Sequence, residues 1–160
     1  MKAACFTGHR NIRIDENIKQ KLYSILDEII KLGVSDFYAG GAIGWDMFCE
    51  NMVIGFRESF PHLKLHLILP CPPEEQTARW TANQKQEYNR ILHLADSTEI
   101  ISPHFTSDCN RLRNIKLVEY SDICLCYMTR SKSGTGQTVR IAQNKGITVK
   151  NLAQNSYGSA

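Results

Sequence analysis

Short apolar runs alternate with segments of helical periodicity along most of this 160-residue chain. The runs predict strands at residues 3–6, 35–39, 63–69, 98–101, 122–127 and 147–152. Between them, apolar residues recur at the spacing of an amphipathic helix, most regularly over residues 18–32. This alternation predicts an α/β domain with a mainly parallel sheet of about six strands and helices on both faces. We place one domain at residues 1–153 and interpret residues 154–160 as a polar tail.

The composition is that of an ordinary globular chain, with 42% hydrophobic residues, 22% charged residues and a net charge of +3. The chain has no run of basic residues, so the sequence does not favour a nucleic acid as partner. No apolar run reaches the length of a membrane span, and the first residues lack the apolar core of a signal peptide. We therefore expect a cytoplasmic protein with no membrane association, and the sequence leaves a homodimer open.

The six cysteines are scattered and include no Cys-x-x-Cys pair. Cys124 and Cys126 are two residues apart in an apolar run, so they share one face of a strand and do not have zinc-ligand spacing. Cys5 and Cys71 also lie in or beside predicted strands, where cysteine usually acts as a small buried hydrophobe. The sequence therefore predicts six free thiols, with neither a structural disulfide nor a metal site.

The glycine-rich and polar loops each follow a predicted strand. In a parallel sheet such loops meet at the carboxyl ends of the strands, where open α/β sheets bind ligands. Glycine permits a positive φ and lets a ligand approach the backbone, while the start of the next helix offers unpaired N–H groups to an anion. The candidate ligand-binding residues in these loops are Gly8, His9, Arg10, Gly40, Gly41, Ala42, Gly44, Pro70, Ser133, Gly134, Thr135, Gly136 and Thr138.

The loop after the run at residues 122–127 is the best candidate for binding phosphate. It places Gly134, Thr135 and Gly136 at a helix start, with the cations Arg130 and Arg140 nearby. Backbone N–H groups, hydroxyls and positive charge together suit a phosphate. The alternative interpretation is a flexible, Ser-rich turn that binds nothing.

Two acidic residues follow the first glycine loop one helical turn apart. Asp46 lies in the first turn of the predicted helix, where it either offsets the helix dipole or accepts hydrogen bonds from ribose hydroxyls. Asp46 and Glu50 are candidate catalytic acids for a glycosidic bond, although a solvated pair is the commoner use of this spacing. Arg10 suits contact with phosphate, and His9 is a candidate general base to which the spacing assigns no partner.

Three of these motifs occur together and in order: Phe-Thr-Gly-His-Arg at residues 6–10, Gly-Gly-Ala-Ile-Gly-Trp-Asp at 40–46 and Ser-Gly-Thr-Gly-Gln-Thr at 133–138. With Gln76, Trp80, Arg113-Asn114 and Ser121-Asp122, they resemble the YpsA-like family of the SLOG superfamily. The resemblance implies a Rossmann-like fold and a pocket for a nucleotide, NAD or an ADP-ribose-like molecule, with no cofactor required. It also adds Arg113 and Asn114 to the candidate ligand-binding residues.

The same superfamily includes the lonely-guy phosphoribohydrolases and the DNA-processing protein DprA, and the sequence departs from the first of these. Lonely-guy enzymes carry a Pro-Gly-Gly-x-Gly-Thr-x-x-Glu motif, whereas residues 132–146 contain no acidic residue. The resemblance therefore implies a nucleotide-binding, sensor-like domain. A nucleotide N-glycosidase that uses Asp46 and Glu50 is the alternative, and a DprA-like DNA-binding accessory protein is the second alternative.

Overall fold

A computed structural model describes residues 1–153 of the chain. The described chain forms six strands, and all their pairings are parallel, in the order β4-β3-β2-β1-β5-β6. The elements are β1 (Ala3–Gly8), α1 (Glu16–Lys31), β2 (Asp36–Ala39), α2 (Trp45–Phe56), β3 (Lys64–Leu69), α3 (Pro73–Gln76), α4 (Ala82–Leu94), β4 (Ser97–Ile100), α5 (Cys109–Glu119), β5 (Ile123–Tyr127), α6 (Gly134–Lys145) and β6 (Thr148–Asn151). This confirms the predicted α/β, Rossmann-like fold, while the predicted polar tail at 154–160 lies outside the described residues.

Helices cover both faces of the sheet. Residues of α1, α2 and α4 form one buried cluster with Phe6 and Phe37 from the sheet. Residues of α5 and α6 form a second cluster on the other face, with Cys5 and Cys124. Because consecutive residues of a strand point to opposite faces, β1 contributes Cys5 to one cluster and Phe6 to the other. All six cysteines are buried and unpaired.

Local signals explain where the helices begin and end. Asp15 caps α1 by accepting a hydrogen bond from the N–H of Ile18 at 2.9 Å, and Gly33 follows the helix with a φ of 111°. Helix α6 begins at Gly134, where the Ser133 hydroxyl accepts a hydrogen bond from the N–H of Gly136 at 3.0 Å and caps the first turn. Gly134, Thr135 and Gly136 of the predicted phosphate loop therefore all belong to the first turn of a helix.

The strand order places a topological switch between β1 and β5. The chain passes from β1 through β2 and β3 to β4 on one side, then crosses back to β5 and β6 on the other. The loops that leave β1 and β5 therefore diverge, which opens a crevice at the carboxyl ends of these two strands. None of the helices in residues 1–153 is both long and apolar enough to cross a membrane.

Candidate ligand-binding site

A crevice of about 410 Å³ lies at this switch point. Its volume falls in the usual range for small-molecule pockets. Ten of the residues that line it are candidate residues named from the sequence: Gly8, His9, Arg10, Ala42, Asp46, Arg113, Asn114, Ser133, Gly134 and Thr135. The crevice thus brings together the loops after β1, β2 and β5 and one face of α5.

Several predicted residues do not line the crevice, and some of them hold its loops together. Gly44 has a φ of 82°, and a Cβ there would collide with the carbonyl oxygens of His9 and Arg10. The N–H of Trp45 donates to the carbonyl oxygen of His9 at 3.3 Å, so the loops after β1 and β2 are in direct contact. Gly44 therefore allows two loop backbones to approach each other.

The second glycine loop shows the same division of roles. A Cβ on Gly136 would overlap the backbone of Ser131, whereas a Cβ on Gly134 would meet no other atom within 4 Å. The Thr138 hydroxyl donates to the carbonyl oxygen of Gly134 at 3.2 Å within the helix. Gly136 and Thr138 thus shape the loop and the helix, and neither lines the crevice. Pro70 also lies outside the lining.

Arg113 ties α5 to the first glycine loop. Its Nη1 donates to the carbonyl oxygen of Gly40 at 2.7 Å, its Nε to Asn114 Oδ1 at 2.8 Å and its Nη2 to Asn110 Oδ1 at 3.3 Å. A Cβ at position 40 would overlap this guanidinium, so glycine is the residue that fits there. The side-chain amide of Gln76 also donates to the Gly40 carbonyl oxygen, at 3.3 Å. Arg113 therefore holds α5 against the first glycine loop, and it also lines the crevice.

Both candidate acids are buried, and they differ in access to the crevice. Asp46 lines the crevice and accepts a hydrogen bond from the N–H of Ala42 at 3.2 Å. Glu50 accepts from the N–H of Gly41 at 3.1 Å, is 1% exposed and does not line the crevice. The two acids are thus not the solvated pair that this spacing usually gives.

Burial also changes how readily these acids ionise. Burial raises the pKa of Asp46 to about 6, although the charges of Arg113 and Arg10 and the N–H of Ala42 oppose that shift. Burial, reinforced by the charge of Asp46, raises the pKa of Glu50 well above its usual range. Asp46 is therefore the acid that ionises first and the one that faces the crevice.

His9 is engaged with the backbone. Its Nε2 accepts hydrogen bonds from the N–H groups of Thr129 and Arg130 at 2.9 and 3.3 Å. Burial, with the charge of Arg130 as a smaller cause, lowers the pKa of His9, which keeps the ring neutral and able to accept. The ring thus joins the loops after β1 and β5, and its Nε2 has no free lone pair for a general base.

Sequence reasoning missed several lining residues, namely Phe6, Thr7, Asn11, Asn110 and Leu117, and it named Arg130 only as a nearby cation. Asn110 and Leu117 flank Asn114 on α5 at helical spacing, so periodicity could have added them once Asn114 was chosen. Asn11 follows the first motif directly, and nothing in its context distinguishes it from an ordinary loop residue. Within residues 1–153, no group of three or more His, Cys, Asp or Glu side chains is placed to hold a metal ion.

Curated relatives align with most of the chain. The SPbeta prophage-derived protein YoqJ of Bacillus subtilis strain 168 is 30% identical over 141 residues, which cover 79% of this chain and 80% of YoqJ. A UPF0398 protein of Halalkalibacterium halodurans is 28% identical over 131 residues, which cover 80% of this chain and 66% of that protein.

Two solved structures have a similar fold. DNA processing protein A from Helicobacter pylori, whose structure was reported for its single-stranded DNA binding mode, has a TM-score of 0.67 at 20% identity, over 99% of this chain and 68% of that one. DNA processing protein A from Streptococcus pneumoniae has a TM-score of 0.63 at 12% identity, over 92% of this chain and 49% of that one. This chain thus spans about half of the pneumococcal protein, and at these identities the likeness shows the fold alone.

The family assignment rests on a match that covers nearly the whole chain. The model of the YpsA family, described as the YspA SLOG family, matches residues 5–152. All three loop motifs that carried the resemblance lie in or overlap this range. The chain therefore belongs to the YspA SLOG family.

Proposed function

We propose that this protein binds a nucleotide or nucleotide derivative in the switch-point crevice, with the phosphate at the start of α6 and the ribose at Asp46. One observation carries the proposal. A single crevice of nucleotide-compatible volume is lined both by the first turn of a helix and by one buried carboxylate from another helix. The two features suit the two polar parts of a nucleotide.

The start of α6 supports the phosphate end. The N–H of Gly136 is taken by the Ser133 hydroxyl, which leaves the N–H groups of Gly134 and Thr135 at the first turn of the helix beside the crevice. Arg10 and Arg130 also line the crevice, and both are exposed, so they add positive charge at its mouth. Backbone N–H groups at a helix start with arginines nearby favour a phosphate.

Asp46 supports the sugar end. Its carboxylate accepts from the N–H of Ala42, and a carboxylate has further lone pairs for ribose hydroxyls. A phosphate would be repelled by this charge, so the neutral, hydroxyl-rich sugar is the better partner. Ala42 is buried beside it and leaves room for a ligand near the backbone.

Glycosidase chemistry has less support from the same geometry. Most glycosidases place two carboxyl groups on either side of the bond that breaks. Among the lining residues Asp46 alone carries a carboxyl group, because Glu50 lies behind the Gly40–Gly41 turn. Binding without turnover is therefore our first choice, and base release is an outcome that the experiment must measure.

The general test is a binding panel of nucleoside 5′-monophosphates, NAD, ADP-ribose and a single-stranded oligonucleotide, followed by calorimetry and by chromatography for free base. We expect saturable binding of at least one mononucleotide or dinucleotide without release of base. Base release at turnover rates would show that the protein is a hydrolase and would contradict the proposal of binding without turnover. Binding of the oligonucleotide and of no nucleotide in the panel would favour a DNA-binding protein instead.

Gly134→Val is expected to weaken the binding of AMP more than the binding of adenosine. A Cβ at this lining position meets no protein atom within 4 Å, so we expect the valine to occupy crevice space at the phosphate end and to leave the fold intact. Loss of charge-assisted hydrogen bonds to phosphate costs about 1.5–3 kcal/mol, or about ten- to a hundredfold in affinity. Calorimetry with AMP and adenosine measures the difference. Gly55→Val is the matched control, because Gly55 is an exposed helical glycine whose Cβ would also meet nothing.

Asp46→Asn is expected to weaken the binding of AMP more than the binding of its 2′,3′-dideoxy analogue. The substitution keeps the shape of the side chain but removes the charge that strengthens hydrogen bonds from the ribose hydroxyls, with an effect of about ten- to a hundredfold. Calorimetry on the two nucleotides at pH 7.5 makes the comparison. Equal losses for both sugars would contradict the placement of ribose at Asp46.

A further inference from the structure

Helix α2 carries two buried acids, and one buried guanidinium lies close to both. Asp46 is 5% exposed and Glu50 is 1% exposed, one helical turn apart, and Arg113 is 6% exposed. The proposed function uses Asp46 only. The second acid is the strongest feature of this part of the chain that the proposed function leaves without a role.

The surroundings of Glu50 do not favour its charge. One carboxyl oxygen accepts from the N–H of Gly41, and the other is fully buried with no hydrogen-bond partner in residues 1–153. The three hydrogen bonds of Arg113 go to Gly40, Asn114 and Asn110 and not to this carboxyl group. From α4, the negative charge of Glu87 also disfavours ionisation of Glu50, and the phenol of Tyr88 lies close enough to feel the charge of Glu50.

The surroundings of Asp46 favour its charge more. Arg113 from α5 and Arg10 from the loop after β1 both attract its carboxylate, and the N–H of Ala42 donates to it. The remaining titratable neighbours are on α2 itself, where the buried Cys49 thiol and Glu50 follow. A single proton shared between the two acids therefore belongs on Glu50.

We propose that Glu50 is a positioning residue that keeps its proton at neutral pH, so that Asp46 alone carries the negative charge facing the crevice. This inference rests on the proposed function for what the crevice binds. The neutral carboxyl group holds the N–H of Gly41 and fixes the turn that presents Ala42 to Asp46. Ionisation of Glu50 would place two negative charges one turn apart beside one guanidinium.

The proton on Glu50 has a consequence for stability that can be measured without any ligand. Burial and the charge of Asp46 raise the pKa of Glu50 in the folded protein, so the unfolded chain releases this proton at lower pH than the folded one does. Stability from this group is therefore fully present below the unfolded pKa and is lost as the pH rises toward the folded pKa. Glu50→Gln, which mimics the neutral acid, should remove that loss.

The first measurement is the ¹³C chemical shift of the Glu50 carboxyl carbon in the ligand-free wild-type protein, assigned by through-bond correlation and followed from pH 4 to pH 9. We expect the shift of a neutral carboxylic acid at pH 7. A midpoint in the ordinary range for glutamate would overturn the proposal. This measurement needs no variant, so it does not depend on whether a substitution folds.

The second measurement compares Glu50→Gln, Glu50→Ala and the exposed control Glu58→Gln. Relative to wild type, Glu50→Gln should gain melting temperature as the pH rises from 5 to 8, whereas Glu58→Gln should show no such trend. Glu50→Gln should retain AMP affinity at pH 7 within about threefold, while Glu50→Ala loses the contact to Gly41 and should weaken AMP about tenfold. A loss of AMP binding in Glu50→Gln as large as in Glu50→Ala would overturn the positioning role.

The two proposals can fail separately. If AMP and the other members of the panel do not bind wild-type protein while Glu50 stays neutral, the proposed function is wrong and the proton assignment stands. If AMP binds and Glu50 is ionised at pH 7, the proton assignment is wrong and the proposed function stands.

Discussion

Arg113→Met is expected to destabilise the protein by about 3–5 kcal/mol at pH 8, the usual effect of removing one partner from a buried charge cluster. Methionine fills much of the volume of the arginine side chain but leaves the Gly40 carbonyl oxygen without its donor at 2.7 Å. It also leaves Asp46 and Glu50 without the one buried cation near them. Urea unfolding followed by circular dichroism measures the change in the free energy of unfolding.

The pH dependence separates the charge from the packing. Without Arg113 the pKa of Asp46 rises further above its value of about 6, so more of the cost appears as the pH increases. The loss of stability should therefore be larger at pH 8 than at pH 5.5. Arg111→Met is the matched control, since Arg111 is exposed on the same helix and its replacement should change stability by less than about 0.5 kcal/mol. Equal losses for Arg113→Met at the two pH values would show that the guanidinium acts through packing and hydrogen bonds alone.

The sheet could be predicted from the sequence because its signals are local. The inner strands β1, β3 and β5 are short runs of mostly apolar residues, and α1 has helical periodicity with Asp15 and Gly33 at its two ends. The meeting of the loops at one end follows from parallel strands and needs no knowledge of side-chain contacts. The family resemblance rests on motifs in these same loops.

The roles within each loop could not be predicted, because they depend on contacts between distant segments. The acid pair on α2 shows this. Spacing alone suggested a solvated pair, but both carboxyl groups are buried, and Glu50 lies outside the crevice lining. His9 is another case, because the backbone N–H groups that occupy its ring nitrogen come from residues 129 and 130. No sequence pattern near residue 9 reports that contact.

The glycines of the second loop give the sharpest instance, since two identical residues in one helical turn should respond in opposite ways to the same substitution. A Cβ on Gly136 would overlap the backbone of Ser131, which is held in place as Arg140 donates to its carbonyl oxygen at 3.0 Å. A Cβ on Gly134 meets nothing within 4 Å. The sequence offers no way to tell these two positions apart.

We therefore expect Gly136→Ala to lower the free energy of unfolding by about 2–3 kcal/mol, the upper part of the range for overpacking a buried site. Gly134→Ala should change it by less than about 1 kcal/mol and in the stabilising direction, because alanine restricts the unfolded chain and favours helix. Urea unfolding of both variants against wild type makes the comparison within one turn of α6. A Gly136→Ala protein as stable as Gly134→Ala would mean that the loop at Ser131 moves to accept a side chain. The glycine at 136 would then have no packing role, and the contrast with Gly134 would disappear.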